Sequence, residues 1–311
     1  MDIFTIILLV VGFILLIKGA DFFVEGASEL AAKLKVPAII IGLTIVAFGT
    51  SAPEAAVSIT SALSHSNAIA ISNVVGSNIF NLLAVLGVTA LVYNLKIEDK
   101  LLKEDFVVLI IGSVLFLVFA LTGNVIDRIE GIIFLLIIIG YVAFLVYKTK
   151  KQSRVLTVDE VKLSNAKIIL YIIGGMLCIM IGSDVVVASA KDIALSLGMS
   201  ETLVGLTIVS LGTSLPELVT SVTAAYRKNT DLAVGNVVGS CIFNVLFIIG
   251  ITTAITPIAT TAIMITDITI SLVAIALTYI FAYHRRDFNS KDGILMIIIF
   301  IIYMAYIILR N

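Results

Sequence analysis

Apolar residues along the chain form long runs, each interrupted by a short group of charged or turn-forming residues. A helix of about 20 apolar residues matches the thickness of the hydrocarbon core of a bilayer. The pattern therefore predicts an all-α polytopic membrane protein with ten transmembrane helices. We expect these helices at 3–24, 37–63, 68–94, 105–123, 129–147, 166–189, 202–226, 231–256, 263–283 and 292–309.

One stretch of the chain occurs twice. Residues 42–81 and 205–244 align without a gap, at an offset of 163 residues, and 22 of the 40 positions are identical. Each copy contains Gly-Thr-Ser-x-Pro-Glu, followed later by Gly-Ser-x-x-Phe-Asn. This degree of self-similarity indicates an internal duplication and predicts two structurally similar halves.

Each half has five predicted helices, so the second half must enter the membrane from the side opposite to the first. Cytoplasmic loops are enriched in Lys and Arg, which makes the loop charges a test of topology. Sixteen Lys and Arg residues fall on one side and three on the other. The asymmetry predicts inverted-topology repeats with both termini extracellular. The expected divisions are a first repeat at 1–148, a cytoplasmic linker at 149–165 and a second repeat at 166–311.

The composition agrees with a membrane location. The 311 residues are 60% hydrophobic and 13% charged, whereas soluble domains are about half apolar and about a quarter charged. A net charge of −1 and the lack of a basic block give no indication of a nucleic-acid partner. Cys178 and Cys241 lie in separate apolar runs, a pattern that predicts neither a disulfide nor a zinc site. Lys18 follows the first apolar run, so we expect a retained helix there and not a cleaved signal peptide.

The repeated motif should interrupt the helix that contains it. Pro53 lacks an N–H, clashes with the carbonyl of Gly49 and disfavours helical geometry at the residue before it. Pro216 has the same effect in the second copy. We expect a break in both helices, with carbonyls freed around 47–49 and 210–212. Backbone freed inside a membrane must line protein or a polar cavity.

Oxygen-bearing side chains cluster around each break. Thr50, Ser51 and Glu54 are three or four positions apart and share one face of a helix. In the following helix, Ser77 and Asn81 repeat the four-residue spacing. Oxygen ligands of this kind suit Ca²⁺, Na⁺ or Mg²⁺ better than Zn²⁺ or Cu. The second copy carries the equivalent oxygens on Thr213, Ser214, Glu217, Ser240 and Asn244.

Glu54 and Glu217 lie within apolar sequence. A charge at mid-bilayer costs at least about 2.5–3.5 kcal/mol on insertion scales, and the four helices of the repeated stretches contain no Lys or Arg near them. We therefore expect a cation or a proton as their partner, and one divalent cation would neutralise both. The simpler alternative is that each glutamate is protonated and only links helices together.

Other duplicated polar residues are predicted to have supporting roles around the site. Asn73 and Asn236 lie on the predicted ligand face and could support the site from behind. Asp21 and Asp184 fit solvated helix ends or an entry vestibule for ions. We expect the remaining hydroxyls mainly to bond back to helix carbonyls or to pack, and these belong to Thr44, Ser58, Thr60, Thr207, Ser221 and Thr223.

The paired motifs GTSxPE and GSxxFN, each present twice, resemble the α-repeats of the calcium/cation antiporter superfamily, particularly its sodium/calcium exchanger branch. The resemblance implies four cation sites between the second, third, seventh and eighth of ten helices. It also implies alternating access, in which the first and sixth helices slide and Na⁺ entry drives Ca²⁺ export. The implied ligands are the carboxylates of Glu54 and Glu217, the hydroxyls of Thr50, Ser51, Ser77, Thr213, Ser214 and Ser240, and the carbonyls of Ala47 and Ser210.

One departure from this pattern affects the expected selectivity. Such exchangers often carry Asp at one of the positions of Asn81 and Asn244, whereas both are Asn here. The change removes a charge and bears on Ca²⁺ affinity, on the coupling ratio and on the co-ion. The predicted function is Ca²⁺ export in exchange for Na⁺, with a Ca²⁺/H⁺ or K⁺-assisted exchanger as the alternative. The Gly-Asn-x-x-Glu motif usual in the proton-coupled branch does not occur in the sequence.

Two other functional classes fit less well. Hydroxyls beside glutamates are compatible with hydrolysis, but no His or Lys base is duplicated with them, so we expect no enzyme. A channel would show no countertransport. Beyond the transported Ca²⁺ and Na⁺ we expect no cofactor. We expect a monomer in the lipid bilayer of the plasma membrane.

Overall fold

The protein was analysed as a computed structural model that describes residues 3–64, 67–152, 161–199 and 210–310. Helices dominate these ranges. The first half contains α1 (Ile3–Leu34), α2 (Ala38–Thr50), α3 (Ala52–Leu63), α4 (Asn67–Ile79, π-helical Phe80–Val85 and Leu86–Val92), α5 (Leu101–Thr122) and α6 (Arg128–Gln152). The second half contains α7 (Asn165–Ser196), α8 (Ser210–Gly212), α9 (Leu215–Tyr226), α10 (Thr230–Phe243, π-helical Asn244–Ile248 and Ile249–Ile255), α11 (Ala262–Arg285) and α12 (Ser290–Arg310).

The fold is that of a polytopic membrane protein. Eight of the described helices are long and apolar enough to cross a bilayer, and α2 with α3 forms a ninth candidate. The predicted helix at 202–226 begins on residues that lie outside the described ranges, and α8 and α9 are its described remainder. Ten transmembrane helices therefore stay a prediction.

The predicted break in the first repeat is confirmed. α2 and α3 meet at Ser51 and bend by 48°, and Pro53 lies in the first turn of α3, where its missing N–H costs no helical hydrogen bond. In the second repeat α8 ends at Gly212 and α9 begins at Leu215, so a break is present there too.

The ends predicted for the first and sixth helices, at 24 and 189, are wrong, because α1 and α7 continue to Leu34 and Ser196. The apolar runs do stop near the predicted ends. The extra turns of α1 carry polar side chains that have partners, as Glu29 shows by accepting hydrogen bonds from the backbone N–H of Lys162 and Leu163. Polar contacts at the membrane surface thus lengthen the helix beyond its apolar run.

α1 and α7 pack against each other in antiparallel directions through glycines. Gly12 lies against Gly182, and Gly19 lies against Gly175. A Cβ atom on Gly175 would come within 2.7 Å of the Gly19 carbonyl oxygen and of the Phe23 nitrogen. Small residues let helices in membranes approach closely, so this contact depends on glycine.

The two halves are interleaved. α4 and α10 are the most deeply buried of the candidate spans, whereas α1, α6, α7 and α12 lie at the outside. Two short antiparallel ladders also join the halves, β1 (Leu95–Lys96) with β4 (Asp287–Phe288) and β2 (Val125–Ile126) with β3 (Ile258–Ala259). The offset that relates the repeated stretches also relates β1 to β3, so the two ladders correspond to each other.

Candidate functional site

Two fully buried carboxylates lie at the centre of the molecule, each bonded by the opposite copy of the motif. Ser51 donates a hydrogen bond to Oε1 of Glu217 over 2.8 Å, and Ser214 donates to Oε1 of Glu54 over 2.8 Å. All four side chains are 0% exposed. The breaks after Thr50 and near Ser214 bring these hydroxyls to the starts of α3 and α9, beside the glutamates. The two copies therefore build one site together.

A duplicated asparagine fixes the first turn of each broken helix. Nδ2 of Asn73 donates to the main-chain carbonyl of Glu54, at 3.1 Å, and to Oγ of Ser58, at 3.0 Å. Asn236 makes the same two bonds to Glu217 and Ser221, at 3.4 and 2.9 Å. Each asparagine thereby holds the main chain of one glutamate in place, which agrees with the supporting role predicted for the asparagines.

The predicted back-bonding of the surrounding hydroxyls is correct at one position and wrong at two. Thr44 donates to the carbonyl of Ile40, within its own helix. Ser58 and Ser221 instead accept from the asparagines of the neighbouring helix. The difference arises because each serine faces the asparagine across a helix contact that the sequence does not show. Thr207 lies outside the described residues.

Thr50, Thr213 and Ser240 connect the two copies across the same centre, whereas Ser77 bonds within its own copy. Thr50 donates to Oδ1 of Asn236 over 3.0 Å, and Thr213 donates to Oδ1 of Asn73 over 3.5 Å. Ser77 donates to Oε1 of Glu54 at 3.4 Å, while the Ser240 hydroxyl lies 3.4 Å from that of Thr50. All six hydroxyl-bearing residues singled out from the sequence therefore lie in one network around the glutamates, and the six are Thr50, Ser51, Ser77, Thr213, Ser214 and Ser240.

The backbone carbonyls at the breaks are less free than predicted. The carbonyl of Ala47 accepts from the Ser51 N–H at 3.0 Å and from the Thr50 hydroxyl at 3.3 Å. The carbonyl of Gly212 accepts from the Ser183 hydroxyl of α7 at 2.8 Å. Ser210, the counterpart of Ala47, begins α8.

Asn81 and Asn244 occupy corresponding positions where α4 and α10 widen into π-helix, and both are 0% exposed. π-helical turns occur frequently at functional sites. Nδ2 of Asn244 donates to Oδ1 of Asn78 over 3.1 Å. Neither amide atom of Asn81 has a partner within the described ranges. The two asparagines are thus alike in position and unlike in bonding.

Several buried polar atoms of this centre lack a partner in the described part of the chain. An unpaired buried polar group costs about 1–3 kcal/mol, and more when it is charged. Buried carboxylates normally pair with cations, yet no Lys or Arg of the described residues forms an ion pair with either glutamate. Carboxylate, amide and hydroxyl oxygens suit a hard cation as cargo. The unpartnered atoms are Oε2 of Glu54, Oε2 of Glu217, both amide atoms of Asn81, Oδ1 of Asn244 and Oγ1 of Thr220.

This donor set differs from an ordinary protein metal centre. The described residues contain no group of three or more His, Cys, Asp or Glu side chains that could hold a metal ion. Neutral oxygens would have to supply most of the ligands. A site with few charges binds a cation less tightly than one built from several carboxylates.

Away from the centre, charged side chains pair near the ends of helices. Arg227 donates to Asp21 at 3.0 Å and to Glu25 at 3.2 Å, which connects the end of α9 to α1. Asp21 is therefore ion-paired and is more than a solvated helix end, whereas Asp184 is exposed. Two other corresponding acidic residues also have basic partners, and these pairs are Glu104 with Lys148 and Asp267 with Arg310.

Sequence reasoning did not single out Asn78, Ser183, Thr220 or Arg227. None of these residues is repeated, since their counterparts are Cys241, Ala20, Val57 and Ser64. A search for duplicated residues passes over them. The signal that could have found them is the opposite one, a residue in one copy whose counterpart in the other copy has a different polarity or charge.

Comparison with known proteins agrees with this geometry. The family model described as sodium/calcium exchanger protein matches residues 4–147 and 167–309. The chain is 32% identical to the sodium/calcium exchanger MaX1 of Methanosarcina acetivorans, over 96% of this chain and 97% of that protein. It is 39% identical to CaxA of Alkalimonas amylolytica, a proposed antiporter, over 81% of each chain.

A solved structure resembles the fold over its whole length. The sodium-calcium exchanger NCX_Mj, soaked with zero Na⁺ and Ca²⁺, superposes with a TM-score of 0.86 at 29% identity, covering 99% of this chain and 100% of that one. The family match therefore spans both repeats, and the architecture agrees with a known exchanger. The chain is an integral membrane protein that belongs to the sodium/calcium exchanger family.

Proposed function

We propose that the protein exports Ca²⁺ in exchange for Na⁺, and that Glu54 and Glu217 bind either Ca²⁺ or Na⁺ at mid-membrane. The observation that carries the proposal is the crossed pair of 2.8 Å bonds from Ser51 to Glu217 and from Ser214 to Glu54. Both carboxylates thereby belong to one site, in which each leaves Oε2 unpartnered within the described residues. Two negative charges match one Ca²⁺ or two Na⁺, so either cargo neutralises the site.

The proposal includes two inverted repeats of five helices in the plasma membrane, with extracellular termini and a cytoplasmic central loop. The antiparallel packing of α1 against α7 supports it, because these are corresponding helices. On this orientation α9 ends at the cytoplasmic face, where α1 packs against it and Arg227 pairs with Asp21. Thr220 of α9 is fully buried, whereas its counterpart Val57 in α3 is 37% exposed. The burial of Thr220 and the pairing of Arg227 support a state that is closed at the cytoplasmic end of α9.

Exchange against H⁺, or with K⁺ as a second cargo, is the alternative. Asparagine at both 81 and 244 leaves the site with two carboxylates, and protons could neutralise these as sodium ions do. The co-ion is separated by flux in proteoliposomes with Na⁺, K⁺ and H⁺ gradients imposed one at a time. Ca²⁺ uptake driven by a pH gradient in Na⁺-free buffer would select the alternative.

The assignment of the glutamates is tested by substitution. Glu54→Gln and Glu217→Gln each remove a charge and keep the shape, so we expect both to abolish Na⁺-gradient-driven ⁴⁵Ca²⁺ uptake. Glu98→Gln is the matched control, because Glu98 is exposed outside the site, and uptake should stay at the level of the unsubstituted protein. Normal uptake in both site variants would overturn the assignment.

A further inference from the structure

The two asparagines at the centre differ in what their amides contact. Nδ2 of Asn244 donates to Oδ1 of Asn78, which leaves Oδ1 of Asn244 buried and without a partner within the described ranges. An amide has one oxygen and one NH₂ group. A bond that occupies the NH₂ group therefore fixes where the oxygen points.

The equivalent bond from the Asn81 amide cannot form in the same way. Its acceptor would lie at the position that corresponds to Asn78, which is Cys241. The thiol of Cys241 is a weak donor and a weak acceptor. The Cys241 Sγ instead lies 3.9 Å from the main-chain carbonyl of Asn78. Both amide atoms of Asn81 are left without a partner in the described part of the chain.

Asn78 is well placed to act on the site without belonging to the ligand set. It follows Ser77, which donates to Glu54 of the same repeat. Two adjacent residues of α4 therefore contact the Glu54 carboxylate and the Asn244 amide, and Asn244 belongs to the other repeat. Asn78 is 1% exposed and Asn244 is 0% exposed. In such buried surroundings a hydrogen bond is strong, because the local dielectric constant is low.

We propose that Asn78 is a positioning residue that orients the Asn244 amide so that its oxygen, and not its NH₂ group, faces the transported cation. The inference rests on the proposed function and deepens it. It makes Asn244 an oriented neutral ligand and leaves Asn81 unoriented, so the two repeats contribute unequally to cation binding. Bonding partners behind metal ligands commonly change metal affinity about 10–100-fold when they are removed.

The test measures the Ca²⁺ concentration that gives half-maximal ⁴⁵Ca²⁺ uptake, together with the maximal rate. Asn78→Ala frees the Asn244 amide, so we expect the half-saturating concentration to rise about tenfold with little change in the maximal rate. Cys241→Ala is the matched control, because Cys241 occupies the corresponding position and does not bond to the Asn81 amide. We expect its half-saturating concentration to stay within about twofold of the unsubstituted value.

A double-mutant cycle shows whether Asn78 acts through Asn244. In an Asn244→Ala background, Asn78→Ala should cause no further rise, whereas in an Asn81→Ala background the rise of about tenfold should persist. A residue that only supports the fold would cause the same loss in both backgrounds. Equal losses in both, or no effect of Asn78→Ala in the unsubstituted chain, would overturn the inference.

A second readout separates this inference from the proposed function. Ca²⁺-dependent stabilisation of the purified full chain against thermal unfolding reports binding without transport. If the unsubstituted protein shows neither stabilisation nor Na⁺-driven uptake, the proposed function fails. If the unsubstituted protein shows both stabilisation and uptake, the proposed function stands. If Asn78→Ala then leaves the half-saturating Ca²⁺ concentration unchanged in both measurements, only the inference fails.

Discussion

The two copies of the repeated stretch are nearly identical at the glutamates and different around them. In both copies a serine at the break donates over 2.8 Å to the glutamate of the other copy, and an asparagine bonds the glutamate carbonyl from behind. One turn further on, Thr220 is fully buried and Val57 is 37% exposed. The two copies therefore agree at the centre and differ about one turn away from it.

The difference at the ends follows from one helix. α1 packs against α9 and supplies Asp21 and Glu25 to Arg227, and Ser28 accepts from Asn229 at 3.0 Å. At the position that corresponds to Arg227 the first repeat has Ser64. The charged contact therefore exists at one end of the molecule, and its counterpart at the other end has no arginine to make it.

The largest expected effect comes from breaking the contact between α1 and α7, which the two halves share. Gly175→Val places side-chain atoms where a Cβ alone would lie within 2.7 Å of the α1 backbone. Overpacking of this kind costs about 1–3 kcal/mol, and we expect loss of ⁴⁵Ca²⁺ uptake with a lower midpoint of thermal unfolding. Backbone atoms of the partner helix cannot move aside as a flexible side chain can.

Gly174→Val is the control for that change, since Gly174 is the preceding residue on the same helix. The nearest atom to a Cβ there is Cδ1 of Leu170, 4.0 Å away. Uptake and thermal stability should remain close to those of the unsubstituted protein. Equal damage from both substitutions would show that the helix, and not the contact, is sensitive.

An intermediate effect is expected from the serines, and it tests whether the centre is equal in both copies. Ser51→Ala and Ser214→Ala each remove a hydroxyl bonded to a glutamate. A hydrogen bond to a charged group is worth about 1.5–3 kcal/mol, so each change should raise the half-saturating Ca²⁺ concentration about tenfold or more. The two variants should agree within about threefold, because the two bonds have the same length.

The same uptake assay provides a control at an unrelated hydroxyl. Ser196→Ala removes an exposed hydroxyl that donates to the carbonyl of Ile193 in its own helix, and it should leave the half-saturating concentration unchanged. If Ser51→Ala and Ser214→Ala differ by far more than threefold, the centre is unequal at the carboxylates as well as at the asparagines.

The smallest expected effect comes from Arg227. Arg227→Gln removes the ion pairs with Asp21 and Glu25, and partly exposed pairs contribute about 0.2–1 kcal/mol each. We expect the inward-open state to become at least about twofold more populated. The measurement is modification of Thr220→Cys by a membrane-impermeant thiol reagent from the cytoplasmic side, in a chain that also carries Cys178→Ala and Cys241→Ala.

The converse substitution sharpens the same comparison. Ser64→Arg places an arginine at the position that corresponds to Arg227, and Asp184 corresponds to Asp21, the partner of Arg227. It should reduce extracellular modification of Val57→Cys, and the cytoplasmic modification of Thr220→Cys should rise with it. Unchanged labelling in both variants would show that these ion pairs do not affect which side is open.

The sequence was sufficient to predict the duplicated residues of the centre, because duplication marks them, but it did not predict Asn78 or Thr220, which have no counterpart of the same type. Glu54, Glu217 and the six hydroxyl-bearing residues all lie in one hydrogen-bonded network. The sequence also predicted the break at Pro53, since the cause of the break is local to the proline. A structural effect that arises between neighbouring residues, such as this break, can be predicted from the sequence alone.

Contacts between distant helices could not be predicted in this way. Ser58 faces Asn73 and Gly212 is bonded by Ser183 only because of how the helices pack. The bond from Asn244 to Asn78 depends on a residue that has no counterpart, so the repeat offers no sign of it. The ends predicted for α1 and α7 were also wrong, and for α1 the extra turns have polar partners in another segment, as Glu29 shows.

The two ladders that join β1 to β4 and β2 to β3 mean that the halves cannot be treated as separate modules. Each ladder takes one strand from each repeat, so a chain cut in the linker would leave every one of the four strands without its partner until the other fragment arrived. During synthesis the first repeat must therefore wait in the bilayer with Glu54 unmatched by Glu217. Glu54 and Glu217 cannot come together before the second repeat is inserted.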